Sequence, residues 1–124
     1  MKIQIKRAYD PPAPEDGYRV LVDRLWPRGL SKERAAVDEW LREVAPSNDL
    51  RRWFGHDPER WAEFKRRYFV ELAAPATQEA LAHLQTLAAG GGMTLLYAAK
   101  DEARNNAVVL REYLVTSLAA KPEI

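Results

Sequence analysis

The sequence predicts an α/β domain, a small layered fold with a mostly parallel sheet flanked by helices, and three observations predict it. The first nine residues alternate in polarity. Two short uncharged, largely hydrophobic runs, Val20-Leu21-Val22 and Leu95-Leu96-Tyr97, read as strands buried on both faces. Helical periodicity fills most of the chain between them. Helices that separate buried strands favour parallel pairing, because each helix carries the chain back to the edge where the next strand starts.

Taken in order, Met1 to Tyr9 sets Ile3, Ile5 and Arg7 on one face and Lys2, Gln4 and Lys6 on the other. Period two reads as a half-buried strand. Asp10 to Gly17 holds three prolines and a glycine, a loop that no helix or central strand could contain. Tyr18 to Asp23 is the first buried strand, followed by the rigid turn Trp26-Pro27-Arg28-Gly29. Ser31 is an N-cap for a helix opening at Lys32. Val37, Trp40, Leu41 and Val44 fit helical spacing, so a helix is expected over 37–44. Ser47 caps a short helix that ends at Gly55.

Asp57 is an N-cap with Pro58 at the first helical position, where a missing N–H costs nothing. Trp61, Phe64, Tyr68 and Leu72 then mark one face of an amphipathic helix. Pro75 stops it, and Thr77 caps a further helix through Leu81, Leu84 and Leu87, which ends at Gly90-Gly91-Gly92. Met93 to Ala99 is the second buried strand. Ala103, Ala107, Leu110, Leu114 and Leu118 define a closing helix.

At 124 residues the chain is expected to form a single domain over 1–124. Hydrophobic residues at 47 % against 30 % charged give a globular balance, not a disordered one. A net charge of +1 argues against a whole-protein grip on nucleic acid. With no cysteine there is no disulfide, thiol nucleophile or iron–sulfur cluster. No run approaches the roughly eighteen apolar residues of a membrane helix. A cytoplasmic protein without a cleaved signal is the expectation.

Chemistry is expected at one edge of the sheet. If the strands ending near Asp23 and Ala99 are parallel neighbours, their following loops share the edge where open α/β sheets bind ligands. The first loop supplies Asp23, Arg24, Trp26 and Arg28; the second supplies Lys100, Asp101, Arg104 and Asn105. The last helix points its N-terminus at the same crevice. Two guanidiniums, an ammonium and free N–H groups make an anion pocket, with Asp23 and Asp101 to orient the cations or handle a proton. The plainer reading is that Arg24 pairs within a structural network.

Other constellations carry less. Gly90-Gly91-Gly92 precedes a strand, whereas a phosphate-gripping glycine loop follows one. His56 and His83 lie on unrelated elements, too few for a metal site. Arg51, Arg52, Arg60, Lys65, Arg66 and Arg67 interleave with aromatics as a nucleic-acid surface would. Asp57, Glu59, Glu63 and Glu71 are mixed among them, and a solvated helix face is the better reading. Trp40 and Trp61 suit buried faces, while Trp26 is kept as a ligand contact.

Three stretches carry a resemblance: LVDRLWPRGLSKE from Leu21, APSNDLRRWFGHDPERWAEF from Ala45, and TLLYAAKDEARNNAVVL from Thr94. Together they resemble the YeaO-like bacterial proteins, a branch of the domain-of-unknown-function group 488, over nearly the whole chain. The resemblance implies a small α/β domain. The wider group's other branch has an Asp-Val-Arg strand end and a late Cys-His-Arg segment, similar to rhodanese-like and cysteine phosphatase-like anion loops. On that alignment Asn105 stands at the cysteine, Asn106 at the histidine and Ala107 at the arginine. Asn106 also departs from the Asn-His of nearer relatives. An asparagine cannot replace a thiolate, so thiol chemistry is not carried over.

The expectation is thus a domain binding a small phosphate- or carboxylate-bearing anion, with Arg24, Trp26, Arg28, Lys100 and Asn105 as its contacts. No metal or cofactor is called for. Two other classes stay open: an enzyme with Asp23 or Asp101 as acid or base, and a regulator that docks protein or nucleic acid on the arginine-rich middle.

Overall fold

The computed structural model describes residues 2–119. Four strands, β1 (Ile3–Arg7), β2 (Tyr18–Leu21), β3 (Glu39–Trp40) and β4 (Met93–Tyr97), form one sheet in the order β1-β4-β2-β3. Every pairing is parallel, with Ile5 beside Leu95 and Val20 beside both Leu95 and Glu39. Five α-helices accompany them: α1 (Lys32–Ala35), α2 (Asn48–Phe54), α3 (Trp61–Ala73), α4 (Gln78–Ala89) and α5 (Asn106–Ala119). This is the small α/β fold expected from the helices that separate its strands.

Two apolar clusters sandwich the sheet. Val20, Val22, Met93, Leu95 and Tyr97 pack against Phe64, Tyr68, Leu84, Leu110 and Leu114 of α3, α4 and α5. The opposite face puts Leu21 and Leu96 against Ala8, Leu30 and Ala35, beneath α1. Because β2 and β4 are central, their side chains are buried on both faces, and this produces their continuous aliphatic runs. The connection from β1 to β2 returns across the second face with a single 3-10 turn, Pro14–Asp16, and no α-helix. Lys6 and Arg19 both pair there with Asp16, and Thr94 donates to the Asp16 carbonyl at 2.6 Å. Gly17 (φ 65°) lies so near Gly92 that a Cβ would stand 2.8 Å from its carbonyl oxygen, and Gly92 itself has φ 98°, a backbone that favours glycine.

Caps read from the sequence take their places. Ser31 accepts from the Arg34 N–H, Ser47 from Leu50, and Asp57 from Glu59. Asp57 and Pro58 open a single 3-10 turn, Pro58–Arg60, which leads into α3. Thr77 precedes α4 without capping it, its hydroxyl donating to the Glu71 carbonyl instead.

Three expectations need correction. Residues 37–44 are not a helix. Ala36 is left-handed (φ 46°), which ends α1, and the Asp38 and Leu41 N–H groups donate to Arg19 and Leu21 of β2. The segment becomes strand β3 and a 3-10 turn at Arg42–Val44. Trp40 and Trp61 are only half-buried. The closing helix starts at Asn106, so Ala103 is an exposed loop residue and not part of its apolar face. Met1 and the side chain of Leu118 lie outside the described residues.

Candidate functional site

The loops after β2 and β4 meet at the C-terminal edge of the sheet. Their junction is Asp23. Its Oδ2 accepts from the Ala98 N–H at 3.0 Å, and its Oδ1 accepts from Asn106 Nδ2 at 3.0 Å. The same Asn106 nitrogen donates to the Val22 carbonyl at 2.9 Å. Trp40 Nε1 donates to the Asp23 carbonyl at 2.8 Å and brings β3 to the same point. Burial pushes the Asp23 carboxyl above its ordinary value; the Asn106 amide, the Ala98 N–H and the charge of His56 oppose that shift without cancelling it.

Most of the expected cationic and polar contacts are occupied within the fold. Arg24 donates Nε to the Pro46 carbonyl at 3.0 Å and Nη2 to Ala45 at 3.2 Å, which ties the β2 loop to the start of α2. Trp26 donates Nε1 to the Leu30 carbonyl at 2.6 Å and packs edge-on against Trp40, on the α1 side. Asn105 is buried and caps α5. Its Oδ1 accepts from the Val108 N–H at 3.0 Å while its Nδ2 donates to the Asp101 carbonyl. Asp101 turns the preceding loop by accepting from the Ala103 and Arg104 N–H groups and pairs with Arg104. Those two N–H groups are the main reason that its carboxyl lies below the ordinary value.

Arg28 and Lys100 are different. Both are exposed, and among the described residues neither forms an ion pair or a side-chain hydrogen bond. They sit on neighbouring loops joined by a bracket that the sequence did not signal. The Tyr9 hydroxyl donates to the Arg28 carbonyl at 2.7 Å, and Arg7 lies over the Tyr9 ring. Arg7 in turn donates to the carbonyls of Ala98 and Ala99, next to Lys100. His56, exposed and left-handed (φ 58°), is the other group missed here: only the fold brings its charge within range of Asp23.

Part of the arginine-rich middle is paired with its own acids, while Arg51 and Arg52 are exposed without an ion pair among the described residues. Glu63 binds both Arg66 and Arg67, and Asp57 pairs with Arg60. Arg60 and Arg67 lie against the ring of Trp53, which leaves that aromatic little face for a base. No group of three or more His, Cys, Asp or Glu side chains placed to hold a metal occurs among the described residues. No described helix is long and apolar enough to cross a membrane.

Comparison with known proteins places this architecture. Residues 2–123 match the family described as the inactive DUF488-N3 subclade. The chain is 45 % identical to the uncharacterised protein YeaO of Escherichia coli, over 92 % of this chain and 97 % of that one. It is 42 % identical to uncharacterised proteins of Mycobacterium bovis and Mycobacterium tuberculosis, over 91 % of this chain and 93 % of each relative. No solved structure gives a significant match. A strand end at Asp23, latched to an asparagine-capped helix in a chain without cysteine, therefore belongs to a YeaO-like protein of the DUF488 family, in its inactive DUF488-N3 subclade.

Proposed function

We propose that this chain is a non-catalytic binding domain that receives a small phosphate- or carboxylate-bearing anion at the C-terminal edge of its sheet. Arg28 and Lys100 contact the anion, and Arg24, Trp26 and Asn105 hold the loops that carry them. The observation that carries the reading is the uncommitted charge of Arg28 and Lys100 on two loops bracketed by Tyr9 and Arg7. Anion recognition needs cations whose donors are not already satisfied, and Arg24 has spent Nε and Nη2 on carbonyls.

The same geometry weighs against turnover. An acid–base group must reach its substrate, yet each Asp23 oxygen already accepts from a protein N–H. Asp101 is likewise held by two backbone N–H groups and Arg104. The description of the matched subclade as inactive points the same way.

The test is calorimetric titration and thermal shift with inorganic phosphate, nucleotides and small dicarboxylates. A ligand present at about a hundred times its dissociation constant should add about 2.7 kcal/mol of stability. The double variant Arg28→Ala, Lys100→Ala should abolish that gain and leave the unliganded melting temperature unchanged. Arg24→Ala should instead lower the melting temperature itself. A gain that survives the double variant, or no gain with any anion, would overturn the reading.

A further inference from the structure

Strand β1 lies at the edge of the sheet, and only one of its sides is used. In a parallel ladder, alternate residues turn both backbone groups toward the same neighbour. The Lys2 carbonyl receives the Met93 N–H and the Ala8 N–H donates to Tyr97, so the even-numbered residues serve β4. The backbone groups of Ile3 and Ile5 and the Arg7 N–H therefore point outward at the edge, away from β4. Beside them runs a groove of about 690 Å³, bounded by Ile5 on β1 and by Val108, Arg111 and Val115 on α5. Val115 is 48 % exposed although it is a large aliphatic residue. An unpaired edge with an apolar flank is a template for another strand.

We propose that this edge pairs with the same edge of a second copy, antiparallel, about a two-fold axis through Ile5, so that two four-stranded sheets become one. The charge pattern selects this occupant and this direction. Asp10 and Glu102 border the groove at the C-terminal end of β1, where the Arg7 guanidinium is turned onto the Ala98 and Ala99 carbonyls, whereas exposed Lys2 stands at its N-terminal end. Centred on Ile5, antiparallel pairing sets Ile3 opposite Arg7 and Lys2 opposite Ala8, beside the turn that ends at Asp10. Acid then meets base at both ends, as a self-complementary patch requires. Parallel pairing would set acid against acid. The same axis turns the Val115 end of α5 toward the Val108 end of its mate, so the apolar flanks also meet.

Sedimentation velocity over a concentration series tests the proposal on the full chain. The wild type should shift from monomer to dimer with rising concentration. Lys2→Glu and Asp10→Lys should each weaken the dimer by about tenfold or more. The double variant Lys2→Glu, Asp10→Lys should restore it, because the acid–base pairs re-form with signs exchanged. Ile5→Pro should abolish it by removing an outward N–H that β4 does not use. Circular dichroism on each variant separates loss of pairing from loss of fold; should the proline variant fail to fold, the charge exchange still decides. A wild type that stays monomeric at high concentration overturns the proposal and leaves the edge to an extended segment of another protein. A dimer indifferent to all the charge variants overturns it equally and places the contact elsewhere.

Discussion

Asp23 and Asn106 are 83 positions apart in sequence and share a hydrogen bond of 3.0 Å between Oδ1 and Nδ2. That bond joins the end of β2 to the first turn of α5, and the same amide nitrogen also reaches the Val22 carbonyl. Asn106→Ala removes both bonds and leaves a largely buried carboxylate one donor short. Hydrogen bonds to charged groups contribute about 1.5–3 kcal/mol, so urea denaturation should show a loss of about 2–3 kcal/mol. A loss no larger than a typical surface substitution would mean that the two loops are held by packing alone.

Stability should respond to acid in two opposed ways. Burial raises the Asp23 pKa above its ordinary 3.8, so the folded chain binds this proton more tightly than the unfolded chain. Its contribution to stability is greatest at low pH and declines as pH rises from 3.8 through the raised folded value. Asp16 behaves oppositely. Burial pushes its carboxyl up, but the Ala13 N–H, Lys6 and Arg19 outweigh that push, and its pKa ends below 3.8. Glu63, bonded to Arg66 and Arg67, is lowered to about 2. The stability from these two is present above their unfolded values and lost as pH falls through the folded ones. Carboxyl-detected NMR titration should find Asp23 above 3.8 and Glu63 near about 2. An Asp23 midpoint below 3.8 would refute the assignment.

The buried pair of Asp16 and Arg19 should be costly to break from the acid side. Arg19 is 4 % exposed, and its other donors go to the carbonyls of Ala35 and Ala36. Asp16→Ala leaves that guanidinium without a counter-charge, which costs about 3–5 kcal/mol in comparable buried pairs. Chemical denaturation measures it directly. A cost under about 1 kcal/mol, the range of exposed pairs, would show that water reaches Arg19.

Asn105 should matter for stability and not for turnover. Asn105→Ala deletes the cap of α5 at the Val108 N–H, worth about 0.5–2 kcal/mol. Assays for rhodanese-type sulfur transfer and cysteine-phosphatase-type aryl-phosphate hydrolysis should find no activity in the wild type, since both of those mechanisms run through a thiolate and the chain has no cysteine. Wild-type activity that vanished in Asp23→Ala would replace this expectation with carboxylate-based catalysis.

Duplex DNA should bind only weakly. Glu63 holds Arg66 and Arg67 and Asp57 holds Arg60, and at a net charge of +1 few phosphates can be neutralised together. Fluorescence anisotropy at physiological salt should give a dissociation constant no tighter than about 10⁻⁴ to 10⁻⁶ M. Tighter binding that resists added salt would favour a nucleic-acid-associated role.

The architecture was legible because burial leaves a direct imprint: Val20-Leu21-Val22 and Leu95-Leu96-Tyr97 carry no charge because apolar layers cover both faces. The helix N-caps Ser31 and Ser47 and the turn at Asp57-Pro58 were legible from local chemistry alone. Strand β3 was hidden because Val37, Trp40, Leu41 and Val44 satisfy helical spacing as well as a strand followed by a 3-10 turn. What decided between them was the free hydrogen-bonding side of β2, a partner distant in sequence. At the candidate site, sequence reasoning found the two loops and could not tell which cations are spent. The acceptors of Arg24 are backbone carbonyls, which every residue has and no sequence pattern marks. The Tyr9 and Arg7 bracket was invisible for the same reason.

The strand order bears on the sequence of events as the chain leaves the ribosome. Strand β4 sits between β1 and β2, yet it is the last strand to be synthesised. Until residues 93–97 emerge, β1 has no partner, and β2 can pair only with the two residues of β3. Strand β1 must therefore wait until residues 93–97 are made before its hydrogen bonds can close. Such long-range pairing slows folding and keeps an unpaired edge exposed meanwhile. Chains truncated before Met93 should accordingly fail to form the sheet at all, and not form a smaller version of it.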